Sequence, residues 1–127
     1  VNDWVQTLQT TGFNYVGPIM ATRSSNFLLT GGFCGAITFD QTYSSNHACI
    51  QPVRYDGFVV DLSGAAGNVL DSVELGGTDA KRIFGIDEAV DLRRYGAGSF
   101  SGTMSVGPSQ FVSKGGSDGF VFGLAPR

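Results

Sequence analysis

The residues best suited to bind a ligand lie in one stretch, between positions 43 and 55. Tyr43, Asn46, His47, Arg54 and Tyr55 supply aromatic rings, an amide, an imidazole and a guanidinium group. A sugar presents a C–H face that stacks on an aromatic ring and hydroxyls that hydrogen-bond to such polar groups. The stretch therefore predicts a ligand-binding loop with a glycan as candidate ligand. Two alternatives stay open: the tyrosines cover a neighbouring disulfide, and His47 is a solvated loop residue.

Residues that could catalyse a reaction are sparse. The chain has one histidine, His47, and its carboxylates stand singly except for Asp87, Glu88 and Asp91, which suit a helix start or a solvated face better than an acid/base pair. We find no calcium-loop pattern and no set of four closely spaced zinc ligands. The prediction is a non-enzymatic protein without cofactor or metal, and a hydrolase is the alternative.

The two cysteines belong to one local elaboration of the chain. Cys34 stands where the second copy of the repeated sequence has Ser101, and Cys49 falls in a connection that is longer in the first copy than in the second. A disulfide across this loop would stabilise the fold by on the order of 3 kcal/mol, because it lowers the conformational entropy of the unfolded chain. We predict this disulfide, which favours secretion, while two buried free thiols remain the alternative.

Composition indicates a globular domain built from short strands. Of 127 residues, 42% are hydrophobic and 19 are glycine, while 15% are charged, which is low for a globular protein. Because the net charge is −3 and the chain has no basic run, we predict that nucleic acid is not a partner. No apolar run is long enough for a transmembrane helix, so we predict no transmembrane segment.

The chain repeats itself. Two segments of the first half have similar counterparts in the second half. The first pair is Phe33-Cys34-Gly35-Ala36-Ile37-Thr38-Phe39 and Phe100-Ser101-Gly102-Thr103-Met104-Ser105-Val106. The second pair is Asp56-Gly57-Phe58-Val59-Val60-Asp61-Leu62 and Asp118-Gly119-Phe120-Val121-Phe122-Gly123-Leu124. A duplicated unit buries its apolar faces against its neighbour. We therefore divide the chain into residues 1–66, a blade-like repeat with the long cysteine-containing loop, and residues 67–127, a second blade-like repeat.

Alternating apolar residues predict about four strands in each repeat. The opening strands are expected at residues 4–8 and 70–75, and Gly31-Gly32 is expected to form a turn with positive φ. Residues 87–94 have an acidic start and a basic end, which is typical of a short helix. Because the matching stretch of the first repeat has turn composition, a polar connection is the other prediction for residues 87–94.

The second repeat resembles the bacterial β-propeller repeats of SBBP type. Their pattern is similar to Gly76-Gly77, to Gly98-Ser99-Phe100-Ser101-Gly102 and to Gly115-Gly116-Ser117-Asp118-Gly119-Phe120-Val121. Gly119 and Gly123 depart from the alanine and lysine that the pattern normally has. The resemblance implies two tandem four-stranded antiparallel propeller blades and an extracellular or bacterial cell-envelope location. It implies no catalytic residues.

Two blades cannot close a propeller ring, which takes about four to eight. We therefore predict that oligomerisation or further chain completes the ring, with a homotrimer favoured over a tetramer or a filament. The alternative fold is a sandwich of the two sheets within one chain. The predicted function is a self-associating, non-enzymatic module that binds ligand at its blade loops. A structural subunit of an extracellular ring, shell or filament, or a fragment of a larger propeller, is the alternative.

Overall fold

The computed structural model describes residues 3–45 and 47–126, and these form an all-β protein without a helix. This confirms the all-β prediction, while the arrangement as propeller blades stays a proposal. The strands are β1 (Gln9–Thr10), β2 (Asn14–Ala21), β3 (Phe27–Phe33), β4 (Ala36–Thr38), β5 (Thr42–Ser44), β6 (Asp56–Leu62), β7 (Val69–Leu75), β8 (Lys81–Glu88), β9 (Arg94–Phe100), β10 (Thr103–Val106), β11 (Ser109–Val112) and β12 (Asp118–Leu124).

All strand pairs within the described residues are antiparallel, and they form two larger sheets and two small ones. The first sheet has the order β2-β3-β6-β7, and the second has the order β8-β9-β12. Hairpin β4–β5 with β1, and hairpin β10–β11, lie beside them. Most pairs join sequential strands through short turns, as the glycine-rich composition predicts, whereas β1 pairs with β4, β3 with β6 and β9 with β12 over longer stretches of chain.

The two halves share one backbone. Strands β8 to β11 repeat β2 to β5 with a shift of 67 positions, and β12 repeats β6 with a shift of 62. Ser25 and Leu92, also 67 positions apart, both adopt positive φ, of 60° and 66°. A non-glycine residue with positive φ is uncommon, so finding the same exception at matching turns shows that the duplication extends to backbone detail.

Strand β7 falls inside the range predicted to begin the second repeat, yet it completes the sheet of the first. It pairs with β6, with Val59 opposite Val73 and Gly57 opposite Leu75. In the second sheet, the strand equivalent to β6 is β12, and within the described residues no strand pairs with its outer edge. Residues 3–8, which correspond to part of β7 by the 67-residue shift, lie outside every strand, so the strand predicted at residues 4–8 is wrong for the single chain.

Two apolar clusters form the core. Cluster 1 lies on one face of the first sheet and includes Phe33, Phe58 and Val60; Leu8 packs against it. Cluster 2 joins the opposite face of that sheet to the second sheet, and it contains Leu28, Val59, Leu75 and Ile83, with Met20, Ile86, Val106, Phe120, Phe122 and Leu124 packed around them. The two sheets therefore bury apolar surface against each other, as duplicated units are expected to do.

Two local predictions are corrected by the structure. Gly31 and Gly32 lie inside β3 and form no turn. A Cβ atom on Gly31 would lie 2.1 Å from the carbonyl oxygen of Tyr15 and 2.5 Å from the Phe58 ring, so the close approach of neighbours explains this glycine. Residues 87–94 contain the end of β8, a turn and the first residue of β9, so the polar connection is right and the helix is wrong.

Candidate functional site

Tyr43, the first residue of the predicted binding loop, lies on β5 and is tied into the fold. Its hydroxyl donates to the Ser72 carbonyl at 3.1 Å and accepts from Gln41 Nε2 at 2.5 Å. Its ring lies 6.3 Å from that of Phe39 in the core. One side of Tyr43 also lines a polar cleft, so the residue both supports β7 and borders a candidate site.

The other predicted binding residues have separate partners. His47 Nε2 lies 3.3 Å from Asp56 Oδ1 with the His47 side chain 11% exposed, so the alternative of a solvated loop histidine is wrong. Arg54 pairs with Asp79 at 2.9 Å on the surface. The Tyr55 ring packs edge-on against Tyr15, with centroids 5.0 Å apart. Asn46 lies outside the described residues.

The predicted disulfide is present and joins Cys34 to Cys49, with Cα atoms 5.6 Å apart. It anchors the loop that carries the predicted binding residues beside the start of β4. Gly12 lies against it: a Cβ there would be 2.2 Å from Cys49 Sγ and 2.5 Å from the Cys34 carbonyl oxygen. The bridge therefore requires a glycine at position 12 in this packing.

A polar cleft of about 660 Å³ lies at the junction of the two repeats. Hairpin β4–β5 borders one side of the cleft, hairpin β10–β11 borders the other, and β7 contributes to the lining. The polar side chains that line it include Tyr43, Ser72, Glu74, Thr78, Thr103 and Gln110. Hydroxyl, amide and carboxyl groups at this density can exchange hydrogen bonds with a polyhydroxylated ligand.

A buried ion pair holds the β7–β8 connection in place beside the cleft. Lys81 Nζ lies 3.3 Å from Asp56 Oδ1 and donates to the carbonyls of Thr78 at 2.6 Å and Asp79 at 2.8 Å. The side chains of Lys81 and Asp56 are almost fully buried. Burial lowers the pKa of Lys81, and the negative charge of Asp56 opposes that change. Lys81 has three acceptors and therefore acts as a structural cation.

Glu74 lines the same cleft, and its carboxyl group has a raised pKa. Burial, and secondly the negative charge of Asp56, raise its pKa to about 7, against a smaller opposite effect of Lys81. A carboxyl group with this pKa is present in both protonation states near neutral pH. It can therefore donate a hydrogen bond to a ligand as well as accept one.

Sequence reasoning missed Asp56, Glu74 and Lys81. One signal for Asp56 was available, since Asp118 repeats it at the start of β12. Lys81 had no such signal, because the first repeat has Asn14 at the matching position. The raised pKa of Glu74 depends on burial between the two repeats, which a local sequence pattern does not encode.

The outer face of the second sheet is open and apolar. Val121 is 77% exposed, whereas Val59, its equivalent in the first sheet, is 2% exposed because the second sheet covers it. Tyr95 is likewise exposed, and its equivalent Leu28 is buried in cluster 2. Together with Phe84, these side chains form what we call the outer face.

The opposite end of the molecule also exposes apolar side chains on β2. Val16 is 57% exposed, whereas its equivalent Ile83 is 3% exposed in cluster 2. Ile19 is exposed too, and its equivalent Ile86 packs against cluster 2. We call Val16, Ile19 and their surroundings the inner face. Each open face thus has a counterpart that is covered inside the chain.

A mostly apolar groove of about 750 Å³ runs between the outer edge of β12 and hairpin β10–β11. Its apolar lining includes Phe111, Val112, Phe120 and Phe122. In the first repeat, β7 lies along the matching edge and bonds to Tyr43 of the matching hairpin. The groove therefore corresponds to a position that a strand occupies in the first repeat.

No protein-family model, curated protein or solved structure matches the chain significantly. Within residues 3–45 and 47–126, no group of three or more histidine, cysteine, aspartate or glutamate side chains could hold a metal ion. In the same described ranges, no helix could cross a membrane.

Proposed function

We propose that this chain is a non-enzymatic, self-associating repeat module that acts as a structural subunit. The observation that carries the proposal is the correspondence of the two open faces. The outer face, with Val121 and Tyr95, is equivalent to the face of the first sheet that the second sheet covers inside the chain. The inner face, with Val16 and Ile19, is equivalent to the face of the second sheet that provides this cover.

Exposed apolar patches of this kind mark interaction surfaces in soluble proteins. Because the two faces differ, one copy meets the next through unlike surfaces, and such heterologous contacts close into a ring or continue as a filament. A ring of three chains would contain six repeats, which is the homotrimeric propeller predicted from the number of blades that a closed ring needs. In that assembly every sheet is a blade with both faces covered.

The disulfide supports an extracellular or envelope location for the assembly. The bond between Cys34 and Cys49 fits an oxidising compartment, since cytosolic thiols are kept reduced. It also fixes the long loop of the first repeat, which borders the junction between repeats.

The polar cleft supports a second role, the binding of a glycan. A polyhydroxylated ligand can bond to the hydroxyl and amide groups that line the cleft and stack on the aromatic ring of Tyr43. It can also bond to the carboxyl group of Glu74, whose pKa is about 7. An assembly of several chains would repeat the cleft, so weak single sites would gain strength through multivalency.

Substitution of the two faces tests self-association. Val16→Lys and Val121→Lys each place a charge where the proposal buries an apolar side chain, and Ile50→Lys is a matched control because Ile50 is exposed on the long loop and belongs to neither face. We expect each face variant to weaken association at least about tenfold, because one buried apolar side chain contributes roughly 1.5–3 kcal/mol. Unchanged association in both face variants would refute the proposal.

A further inference from the structure

In the part of the chain that the structure describes, no strand pairs with the outer edge of β12. We propose that residues 3–8 of a second copy of this chain occupy it, pairing antiparallel with β12 and lying in the groove beside hairpin β10–β11. This inference rests on the proposed self-association and names the segment and the register through which it occurs.

The first repeat shows what occupies the matching edge. There β7 pairs with β6, and the next residue, Gly76, bridges to Ser105 of β10. Shifting that bridge by 67 positions gives Gln9 and Thr38, which are paired in the structure as β1 and β4. The backbone that follows β7 is thus repeated after residue 8, and only the sheet that would receive residues 3–8 is missing from the single chain.

Residues 3–8 are already held as β7 is held on its downstream side. Leu8 packs against cluster 1, as its equivalent Leu75 packs in cluster 2. The Trp4 ring lies 6.1 Å from Phe27, and their equivalents Asp71 and Arg94 line one small cavity between the two sheets. These contacts are compatible with the paired state, so strand formation does not require the segment to leave its own chain.

The side chains of the segment match the surface that would receive them. Val5 is 89% exposed in the single chain and corresponds to Ser72, which packs beside the hairpin residue Tyr43. In the proposed register, Val5 therefore enters the apolar groove beside Phe122. An exposed apolar side chain and an open apolar groove are both covered by this one contact.

The register follows from the pairing of β6 with β7. Transferred to β12, it places Leu8 opposite Gly119, Gln6 opposite Val121 and Trp4 opposite Gly123. Gly123 has no side chain, so the Trp4 indole can lie across the strand next to Tyr95, whose ring already approaches this position. An aromatic ring that covers a glycine in a neighbouring strand stabilises such a pair.

Disulfide trapping tests both the segment and the register. In the full chain, Gln6→Cys with Val121→Cys introduces thiols at directly opposed positions. Val5→Cys with Val121→Cys is the matched negative control, because a shift of one residue turns a side chain to the other face of the sheet. Val59→Cys with Val73→Cys is the positive control, since these residues are opposed within one chain.

Under mild oxidation, Gln6→Cys/Val121→Cys is expected to link most chains into products that are multiples of 13.4 kDa on non-reducing gels. Val5→Cys/Val121→Cys is expected to link few chains. The positive control should lose its new thiols without a change of mass. Both positions of the test pair are exposed, so the substitutions do not threaten folding.

Four results would overturn the inference. Equal linkage by the test pair and the negative control would show random collision. A disulfide within one chain would show that the segment folds onto its own sheet. If linkage failed while the native mass still exceeded one chain, the strand pairing would be wrong and self-association would stand. Failure of linkage in a single-chain particle would refute both.

Discussion

Arg94 Nη1 lies 2.7 Å from Asp61 Oδ2, and this ion pair crosses the apolar interface between the two sheets. Both side chains are buried, and Arg94 also donates to the Ala125 carbonyl at 2.8 Å. At the matching positions of the two open faces the chain has Phe27 and Gly123. The charged pair is therefore particular to the internal junction, and the proposed contact between chains is apolar at this point.

Loss of the guanidinium group should destabilise the fold. Arg94→Met removes the guanidinium group that pairs with the buried Asp61 carboxylate, and we expect a loss of about 3 kcal/mol in the free energy of unfolding. Urea denaturation measures this change, with the exposed Arg93→Met as control. A loss no greater than that of the control would show that the pair contributes little to stability.

Glu74 should make stability depend on pH. Its pKa of about 7 in the folded chain exceeds the ordinary carboxyl value. Between the two values the folded chain binds more protons than the unfolded chain, so the free energy of unfolding falls as pH rises through that window and is highest below it. We expect a fall of about 1–2 kcal/mol after allowance for solvent screening.

Glu74→Gln should remove that fall and make the chain more stable than the unsubstituted protein at pH 8. The measurement is urea denaturation at several pH values between 4.5 and 8, a window that starts at the ordinary pKa of the group. Glu88→Gln, at the only other glutamate, is the control. A pH dependence that survives Glu74→Gln unchanged would assign it to another group.

The disulfide should stabilise the first repeat mainly through the unfolded state. Cys34 and Cys49 are 15 positions apart, and a loop of this size corresponds to roughly 3 kcal/mol. Cys34→Ser with Cys49→Ser should lower the free energy of unfolding by about that amount, as measured by thermal and urea denaturation. An unchanged value would mean that packing around Gly12 holds the loop without the bond.

Glycan binding at the cleft should depend on cleft residues and not on the rest of the predicted loop. Screening on a glycan array, followed by calorimetry, should give a ligand whose affinity drops about fivefold in Gln110→Ala, because a typical hydrogen bond contributes about 1 kcal/mol. Tyr55→Ala, whose ring packs on Tyr15 outside the cleft, should bind normally. The reverse pattern would move the site to the loop.

The sequence predicted the strand content because the apolar alternation of β6 and β12 is regular and occurs twice. It also predicted the disulfide, because Cys34 and Cys49 accompany a loop that only one repeat has. These features are local or come from direct comparison of the two copies, so they are visible without coordinates.

Other features depend on contacts between the repeats and were not visible. Strand β7 could pair with either the first or the second sheet, and the alternation of apolar residues within β7 does not indicate which. Gly31 resembled a turn residue, yet its reason is the approach of Tyr15 and Phe58. The acidity of Glu74 arises from the same junction.

The central claim is that each chain is completed by another copy of itself, and the native mass in solution tests it most directly. Sedimentation equilibrium of the unsubstituted chain, from micromolar to nanomolar concentration, should give a multiple of 13.4 kDa that falls only on dilution, with a trimer expected. A cooperative, stably folded particle of 13.4 kDa at every concentration would contradict the claim.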